Sequence, residues 1–458
     1  MERRTFLKIL SSAGIVSLVS PTFAMEVCKN KVSKSSSALL ESAFRNPPFS
    51  SGVYTWWHWM NGNITKDGIT RDLEAMKANG IAGYQLFEAG SGIPIGPVES
   101  LSDEWVDLIL HTLKESERLG LEFAMHNCPG WSSSGGPWIT PDKAMQIITW
   151  SETKITGGKQ VRIQLPTPKH MFDYYIDTYC LAIPANMKVI PRLSILELSN
   201  RLDKDGVLTW DVPTGEWLIM RFGQTAKDQK NKSAPSKSTG LDCDKFSTEA
   251  LDYHLNCMFK RLMPTMEKIA KHSKIGLLID SYETGDQDWT SDMPAYFEQS
   301  HGYELYPFLP VLANKIVESK ESTKRFLFDF RRVRADMFAE RYYGHFQKRC
   351  KEKGIITYTE PYGGNMMEEL QVAQQLDINM GEFWCGQTVL WANYKYNRTV
   401  KQVASIAHTL GGKVVGAEAF TSEPDADKWL QYPYALKSLG DYMFTRGLSR
   451  IYFHRFAH

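Results

Sequence analysis

Four short apolar runs in the second half of the chain each end in a glutamate. They are LLIDSYE ending at Glu283, IITYTE ending at Glu360, INMGE ending at Glu382 and KVVGAE ending at Glu418. A stretch with helical spacing separates each run from the next. Carboxylates at the C-terminal ends of successive strands predict one acidic cleft in a parallel β/α barrel. Two carboxylates at a suitable separation are the catalytic groups of a glycosidase.

The number of strand-like runs supports a closed barrel. Three runs (53–59, 81–87 and 121–126) precede the four that end in glutamate, and one more (448–453) lies near the end of the chain. Eight is the number of strands in a TIM barrel. The sequence therefore predicts an α/β fold, a (β/α)8 TIM-like barrel. A doubly wound open sheet is the alternative, although no GxGxxG follows the first strand to support nucleotide binding.

The first 24 residues are predicted to be a signal peptide. The run RRTFLK (3–8) resembles the twin-arginine export motif, an apolar stretch follows it, and TFA (22–24) offers a small-residue cleavage site. The apolar stretch is too short for a stable membrane span. We therefore expect a bacterial protein that is periplasmic or secreted and has no membrane span once the signal is removed.

The remaining domain boundaries follow changes in composition and periodicity. Residues 25–50 are rich in Ser and Lys and are predicted to be a linker. Residues 51–146 form the first part of the barrel, 147–240 a small antiparallel β-rich insert after the third strand, and 241–458 the rest of the barrel. Within the last part, 248–271 and 324–353 are each predicted to be one helix. The early end at His458 leaves open whether the barrel is truncated at its C-terminus.

Composition excludes several classes of function. The 53 Lys and Arg residues balance the 52 Asp and Glu residues, so there is no electrostatic basis for binding nucleic acid. Seven cysteines without a CxxC pair predict neither a zinc site nor a disulfide framework. The sequence gives no indication of the oligomeric state.

Other polar and aromatic residues lie at the predicted strand ends. The first strand ends in WWHW (56–59), and alternation along a strand turns either 56 and 58 or 57 and 59 towards the cleft. Packing in the core is the alternative for each of these residues. The predicted substrate-binding residues are Trp57, His126, Asn127, Asp280, Tyr282 and His454.

Several long runs resemble glycoside hydrolase family 106, a family of α-L-rhamnosidases. They are WWHWMNGNITKDGITRDLEAMKANGIAGYQLF, FAMHNCPGWSSSGGPWITP, GLDCDKFS, IDSYETGDQDWT and GAEAFTS, and the resemblance extends from about residue 45 to 458. It implies a (β/α)8 catalytic barrel, inversion at the anomeric carbon, a Ca²⁺ requirement and an oligosaccharide or polysaccharide substrate that bears rhamnose. Family members are usually longer, with β-sandwich modules after the barrel.

The resemblance also implies roles for the four glutamates. The match to IDSYE makes Glu283 the general acid, and the match to GAEAF makes Glu418 the general base. Glu360 and Glu382 become predicted ligands of calcium or of sugar hydroxyls, because Ca²⁺ prefers oxygen ligands. Two alternatives remain open: a retaining barrel glycosidase of other specificity, and a non-catalytic glycan-binding or truncated, inactive remnant.

Overall fold

The computed structural model describes residues 34–131, 134–385, 389–412, 414–422, 428 and 430–458. The predicted signal peptide, residues 1–24, lies outside the described residues. The chain divides into two compact units, 1–52 and 53–458. In the first unit, helix α1 (Lys34–Arg45) forms within the segment predicted to be a linker. Its Glu41 and Arg45 form an ion pair across one helical turn.

The second unit is built on a closed barrel of eight parallel strands, as the sequence predicts. The order around the barrel is β1 (Val53–Met60), β16 (Arg450–Ala457), β15 (Val415–Ser422), β14 (Ile378–Cys385), β13 (Ile356–Thr359), β11 (Ile275–Ile279), β3 (Glu122–His126) and β2 (Ile81–Ala89). In chain order the strands are β1 (Val53–Met60), β2 (Ile81–Ala89), β3 (Glu122–His126), β4 (Gln146–Thr156), β5 (Lys159–Gln164), β6 (Ile176–Pro184), β7 (Val189–Ile190), β8 (Leu196–Glu197), β9 (Val207–Val212), β10 (Glu216–Ala226), β11 (Ile275–Ile279), β12 (Ile316–Val317), β13 (Ile356–Thr359), β14 (Ile378–Cys385), β15 (Val415–Ser422) and β16 (Arg450–Ala457).

Helices with standard end signals follow the barrel strands. Thr65 caps the next helix by accepting a hydrogen bond from the backbone N–H of Gly68, and its Ile69, Leu73 and Met76 are buried at helical spacing. The further helices, in chain order, are α2 (Lys66–Ala78), α3 (Asp103–Leu119), α4 (Thr248–Phe259), α5 (Met263–Ala270), α6 (Met293–His301), α7 (Leu309–Leu312), α8 (Lys320–Met337), α9 (His345–Lys351), α10 (Glu369–Ala373), α11 (Val389–Leu410) and α12 (Pro433–Thr445).

Two segments that the sequence predicts to be single helices are each interrupted in the structure. The predicted helix 248–271 is divided into α4 and α5, because Pro264 lies in the first turn of α5 and its ring cannot continue a helix from before it. The predicted helix 324–353 begins earlier, at Lys320, where Ser319 caps it. It also contains a π-helical turn, Phe338–Gly344, between α8 and α9. Such turns are frequent at functional sites.

The insert after β3 is antiparallel, as predicted. One sheet has the order β4, β10, β6, β8, and β5 pairs with β9 in a second. A short parallel pair, β7 with β12, connects the insert to the segment before α8. Short 3₁₀ turns occur at Phe49–Ser51, Pro141–Lys143, Arg192–Ser194, Ser199–Arg201 and Tyr306–Phe308. No helix among the described residues is both long enough and apolar enough to cross a membrane.

Candidate active site

A cleft of about 410 Å³ opens at the C-terminal ends of the barrel strands and brings the predicted acidic residues together. Its carboxylates are Asp280, Glu283, Glu360, Glu382 and Glu418. This position follows from the fold, because the loops after parallel strands meet at one end of a barrel. The four glutamates, far apart in sequence, therefore face one space.

Strand register explains how closely two of these glutamates approach. Glu382 on β14 is the pairing partner of Glu418 on β15. Paired residues on neighbouring strands point to the same face, and the strands lie about 4.8 Å apart. Asp280 and Glu360 directly follow the adjacent strands β11 and β13, where Ile279 pairs with Thr359. The cleft floor thus contains two cross-strand pairs of acids.

The carboxylates of the cleft differ in the hydrogen bonds that their oxygens accept. Glu418 Oε1 accepts a hydrogen bond of 2.6 Å from the Thr421 hydroxyl. Glu382 Oε1 accepts one from the Trp384 indole N–H, and Glu360 Oε2 accepts one from the Tyr362 hydroxyl. The buried Oε1 of Glu360 accepts none from the described residues. The neighbouring Asp280 carboxyl interacts with the Glu360 side chain, and a proton shared between two such acids offsets part of the cost of a buried oxygen without a donor.

Burial and mutual repulsion raise the pKa values of the cleft acids. Burial raises the pKa of Glu418 to about 7. Burial, followed by the charge of Glu418, raises the pKa of Glu382 to about 8. Burial, followed by the charge of Glu418, holds the pKa of Asp280 well above its ordinary value. Burial, followed by the charge of Asp280, does the same to the pKa of Glu360. At neutral pH the cleft therefore holds both protonated and ionised carboxyl groups, as acid–base catalysis requires.

Glu283 differs from the other four because it lies on the loop after β11, at the mouth of the cleft. Its side chain is 42% exposed, and the Lys232 ammonium lies 3.5 Å from Oε2. The indole N–H of Trp131 donates a hydrogen bond of 3.1 Å to the same oxygen. Glu283 is therefore held in place while remaining open to solvent.

The structure corrects the prediction for Trp57. Trp56 and His58 line the cleft, whereas Trp57 points towards the helices and donates a hydrogen bond of 3.0 Å to Asp72 on α2. Trp57 packs edge-on against Trp59, with their ring centroids 5.7 Å apart. Residues 56 and 58 of β1 therefore face the cleft, and residues 57 and 59 face the helices. Trp56 occupies the position that the sequence analysis predicted for Trp57.

Two more predicted substrate-binding residues pack behind the cleft instead of lining it. Asn127 donates to the backbone oxygen of Leu278 and accepts from the Ser134 hydroxyl. Tyr282 donates to the backbone oxygen of Gly285. Both side chains are buried with these partners. Their hydrogen bonds hold the loops after β3 and β11 in place. Both residues therefore have a structural role in the fold and do not line the cleft.

Of the two predicted histidines, one lines the cleft. His454 lies on its wall, and its ring centroid is 5.4 Å from that of His58. His126 is buried beneath Trp56, with a centroid distance of 5.2 Å, and burial lowers its pKa to about 3. Although Nε2 of His126 is 3.7 Å from Asp280, the ring is neutral at ordinary pH and forms no ion pair.

Several cleft residues carry no distinct signal in the sequence. They are Phe87, Trp131, Trp384 and Arg455. Trp131 lies in a Gly- and Ser-rich loop, and Phe87 and Trp384 resemble ordinary core aromatics. Arg455 adjoins His454, so simple alternation would turn it away from the cleft. The strand pairing between β1 and β16 shifts register at these residues, and both side chains line the cleft.

A second buried polar cluster lies behind the loop that carries Trp131. Lys245 is fully buried, forms an ion pair with Asp242 and donates a hydrogen bond of 3.1 Å to the backbone oxygen of Ser134. Its ammonium also lies 4.9 Å from the centre of the Tyr342 ring, in the π-helical turn. This cluster joins the loop after β3 to the turn before α9 and fixes the loop from which Trp131 reaches Glu283.

The carboxylates of the cleft have part of the chemistry that a Ca²⁺ site needs. They offer only oxygen donors, which Ca²⁺ prefers, and Oε1 of Glu360 has no hydrogen-bond donor. Within the described ranges, however, no three His, Cys, Asp or Glu side chains converge closely enough to hold a metal ion. The described side chains do not form a complete calcium site, so calcium binding at Glu360 and Glu382 stays a prediction.

Comparisons with known proteins place this site in a family. A family model described as alpha-L-rhamnosidase, glycoside hydrolase family 106, matches residues 45–173 and 169–458. A curated protein of Formosa agariphila named "Putative beta-glucuronidase" is 40% identical over 450 residues, and the match covers 92% of this chain and 38% of that protein.

A solved structure of a rhamnosidase from Novosphingobium sp. PP1Y shares the fold, with a TM-score of 0.83 at 24% identity. That match covers 92% of this chain and 56% of the other, so the chain spans only part of the length of both proteins. Most of the described chain thus matches one family in sequence, and its acidic cleft lies where a barrel glycosidase has its active site. The chain belongs to glycoside hydrolase family 106, the α-L-rhamnosidase family.

Proposed function

We propose that this chain is the catalytic barrel of an exported, inverting, calcium-dependent α-L-rhamnosidase that removes rhamnose from oligosaccharides or polysaccharides. The observation that carries the proposal is the cleft in which five carboxylates from four strand ends meet. The family match makes rhamnose the expected sugar.

The two proposed catalytic glutamates lie at different depths in the cleft, and each position suits the role proposed for that residue. Glu283 lies at the open mouth, where the leaving group of a bound glycoside would depart, and it would donate a proton to the glycosidic oxygen. Glu418 is half-buried and lies deeper in the cleft, where it would take a proton from a water molecule on the opposite face of the sugar. The C–O bond to the leaving group breaks as the new C–O bond to water forms, and the anomeric configuration inverts.

The environment of Glu418 suits a base near neutral pH. Burial raises its pKa to about 7, so the ionised form accepts a proton more readily than an ordinary glutamate does. The guanidinium of Arg455 opposes this rise and stabilises the ionised form. Rings of Trp56 and Trp384 line the same cleft and would pack against the apolar face of the sugar.

The reversed assignment, with Glu418 as acid and Glu283 as base, is supported by one contact. The Lys232 ammonium lies 3.5 Å from Glu283 and would have to give up this ion pair if Glu283 carried the proton. Two experiments separate the assignments. The acid variant keeps activity only on rhamnosides with good leaving groups, and the base variant is rescued by azide, which forms a rhamnosyl azide of inverted configuration. We expect Glu283→Gln to show the first pattern and Glu418→Gln the second.

The experiment that tests the proposal is release of rhamnose from an aryl α-L-rhamnoside by the full-length protein. We expect turnover that is lost with a calcium chelator and restored by added Ca²⁺. Absence of turnover by folded, calcium-loaded protein would contradict the rhamnosidase proposal. Turnover unaffected by the chelator would contradict the calcium requirement alone. Export is tested by the fraction of the protein found outside the cytoplasm of a host with a twin-arginine pathway.

A second candidate function is suggested by the name of the Formosa agariphila relative. A β-glucuronidase must hold the carboxylate of its sugar, and Arg455 on the cleft wall could form a bidentate pair with it. The five acids around the same space oppose such binding by charge repulsion. Parallel assays with aryl β-D-glucuronide and aryl α-L-rhamnoside decide between the two. We expect turnover of the rhamnoside alone.

A further inference from the structure

Strand β15 contains an extra residue close to the proposed base. In the pairing of β14 with β15, Phe383 faces Ala419. The next residue of β14, Trp384, faces Thr421, so the register passes over Phe420. The backbone of Phe420 has a φ of 62°, which a bulky residue rarely adopts. An extra residue of this kind is a β-bulge, and it shifts by one the alternation of the side chains that follow.

The bulge places the Thr421 hydroxyl beside the Glu418 carboxylate. Residues three apart on a regular strand point to opposite faces, yet Glu418 and Thr421 both line the catalytic cleft. The Thr421 hydroxyl donates a hydrogen bond of 2.6 Å to Oε1 of Glu418. Thr421 is only 3% exposed, so its side chain has little room to move. The hydroxyl therefore makes this contact from a fixed position that regular alternation would not provide.

The surrounding core holds Phe420 in its left-handed conformation. Its ring packs edge-on against Phe383, with centroids 4.9 Å apart, and nearly parallel to Phe453, with centroids 5.7 Å apart. Gly440 of α12 adjoins the same ring, where a Cβ would come within 3.2 Å of it. The backbone oxygen of Phe420 accepts a hydrogen bond of 3.2 Å from the Cys385 thiol. Such strained residues persist only where their surroundings fix them, and they cluster at active sites.

We propose that Thr421 is a positioning residue that orients the Glu418 carboxylate for the attack of water, an inference that rests on the proposed function. The hydrogen bond to Oε1 leaves Oε2 to accept the proton of the water. The water oxygen bonds to the anomeric carbon as the bond to the leaving group breaks, and the leaving group departs with the proton of Glu283. A carboxylate held in one orientation reaches this geometry more often than a mobile one.

The test compares the hydrolysis of an aryl α-L-rhamnoside by the wild type, Thr421→Val and Thr421→Ser. Valine keeps the shape of the side chain without the hydroxyl. We expect kcat to fall by about 10- to 100-fold, as for a lost hydrogen bond to a charged group. KM should change little, because the hydroxyl acts in the transition state and not in ground-state binding. Serine keeps the donor, so Thr421→Ser should restore most of the rate.

A second comparison shows whether the hydroxyl acts through Glu418. Glu418→Ala is assayed in azide, which needs no base, with and without the additional Thr421→Val substitution. The two azide-rescued rates should be equal, because the carboxylate that Thr421 orients is absent from both variants.

The matched control is Thr357→Val. Thr357 is fully buried, its hydroxyl donates a hydrogen bond of 2.8 Å to Asp377, and it lies outside the cleft lining. The same substitution there should lower the free energy of unfolding and leave kcat unchanged. Thr421→Ala removes the Thr421 hydroxyl with a smaller side chain and should reproduce the loss of kcat, which keeps the test decisive if the valine variant does not fold.

The outcomes separate this inference from the proposed function. Equal kcat in the wild type and in Thr421→Val would overturn the inference and leave the function standing. A fall in kcat that Thr421→Ser does not restore would overturn it as well, and so would an equal fall in the Glu418→Ala background. Failure of the wild type to hydrolyse any rhamnoside would overturn the function and this inference together.

Discussion

Two polar clusters are buried near the C-terminal ends of the barrel strands, and they differ in how their charges are compensated. In the cluster behind the cleft, Lys245 and Asp242 neutralise each other in a fully buried ion pair. In the cleft itself, Glu382 and Glu418 are pairing partners on adjacent strands, and they would repel each other if both were ionised. Glu360 leaves one buried oxygen without a hydrogen bond from the described residues.

The ion pair of Lys245 and Asp242 stabilises the fold, whereas the acids of the cleft destabilise it and suit proton transfer. The ion pair holds the loop after β3 through the backbone oxygen of Ser134, and breaking it would leave a buried charge. The crowded acids destabilise the fold, but their raised pKa values place proton transfer near neutral pH. Substitutions in the two clusters should therefore change stability in opposite directions.

The largest expected effect is on catalysis by the cleft. Glu418→Gln should lower kcat for an aryl rhamnoside by about 10³-fold, within the usual range for a lost acid–base group. Because the substitution also removes a half-buried carboxylate from a cluster of acids, the free energy of unfolding above pH 7 should rise. Kinetics and chemical denaturation measure the two effects on one preparation. A loss of activity accompanied by a loss of stability would mean that Glu418 is a structural residue.

Breaking the ion pair should have the opposite effect on stability. Lys245→Met leaves Asp242 buried without its cation and should lower the free energy of unfolding by about 3–5 kcal/mol. The double variant with Asp242→Leu removes both charges and should recover most of the loss. If Lys245→Met is as stable as the wild type in chemical denaturation, the contrast between the two clusters is wrong.

A smaller effect concerns the pH dependence of stability. The pKa of Glu382 is raised to about 8 and that of Glu418 to about 7, from an ordinary value of 4.5. The folded chain therefore binds more protons than the unfolded chain between about pH 4.5 and 8. Since protons favour the folded state in this window, the free energy of unfolding should fall as the pH rises through it.

Glu382→Gln should flatten this dependence and stabilise the fold at pH 8 by about 1 kcal/mol or more, since one pKa unit corresponds to about 1.4 kcal/mol. The matched control is Glu298→Gln, at an exposed position on α6, which should leave the slope unchanged. Denaturation curves at pH 5, 6, 7 and 8 provide the measurement. Equal slopes in wild type and Glu382→Gln would exclude a raised pKa for Glu382.

Much of the barrel could be predicted because its signals are local. Apolar runs of strand length recur between amphipathic stretches, and end signals such as Thr65 before α2 and Gly120 after α3 lie beside them. The divided helix of α4 and α5 was missed because Leu262 and Met263 continue the apolar spacing across the break. The π-helical turn was missed because its residues have the composition of an ordinary helix.

The carboxylates of the cleft and His454 could be predicted from the sequence, whereas its aromatic wall and Arg455 could not. Strand ends converge in a barrel, so the positions of Glu360, Glu382 and Glu418 follow from counting strands. The phase of β1 could not be predicted, because all four residues from 56 to 59 are aromatic and either set suits a core. Arg455 could not be predicted either, because regular alternation would place it opposite His454, and the pairing of β1 with β16 is irregular at these residues.

The most direct test of the central claim is the configuration of the first sugar released. Proton NMR of the full-length protein acting on an aryl α-L-rhamnoside, recorded before mutarotation, distinguishes the two anomers. We predict that β-L-rhamnose appears first, because a water activated by Glu418 attacks opposite the leaving group. Initial release of α-L-rhamnose would show a retaining mechanism and contradict the roles proposed for Glu283 and Glu418.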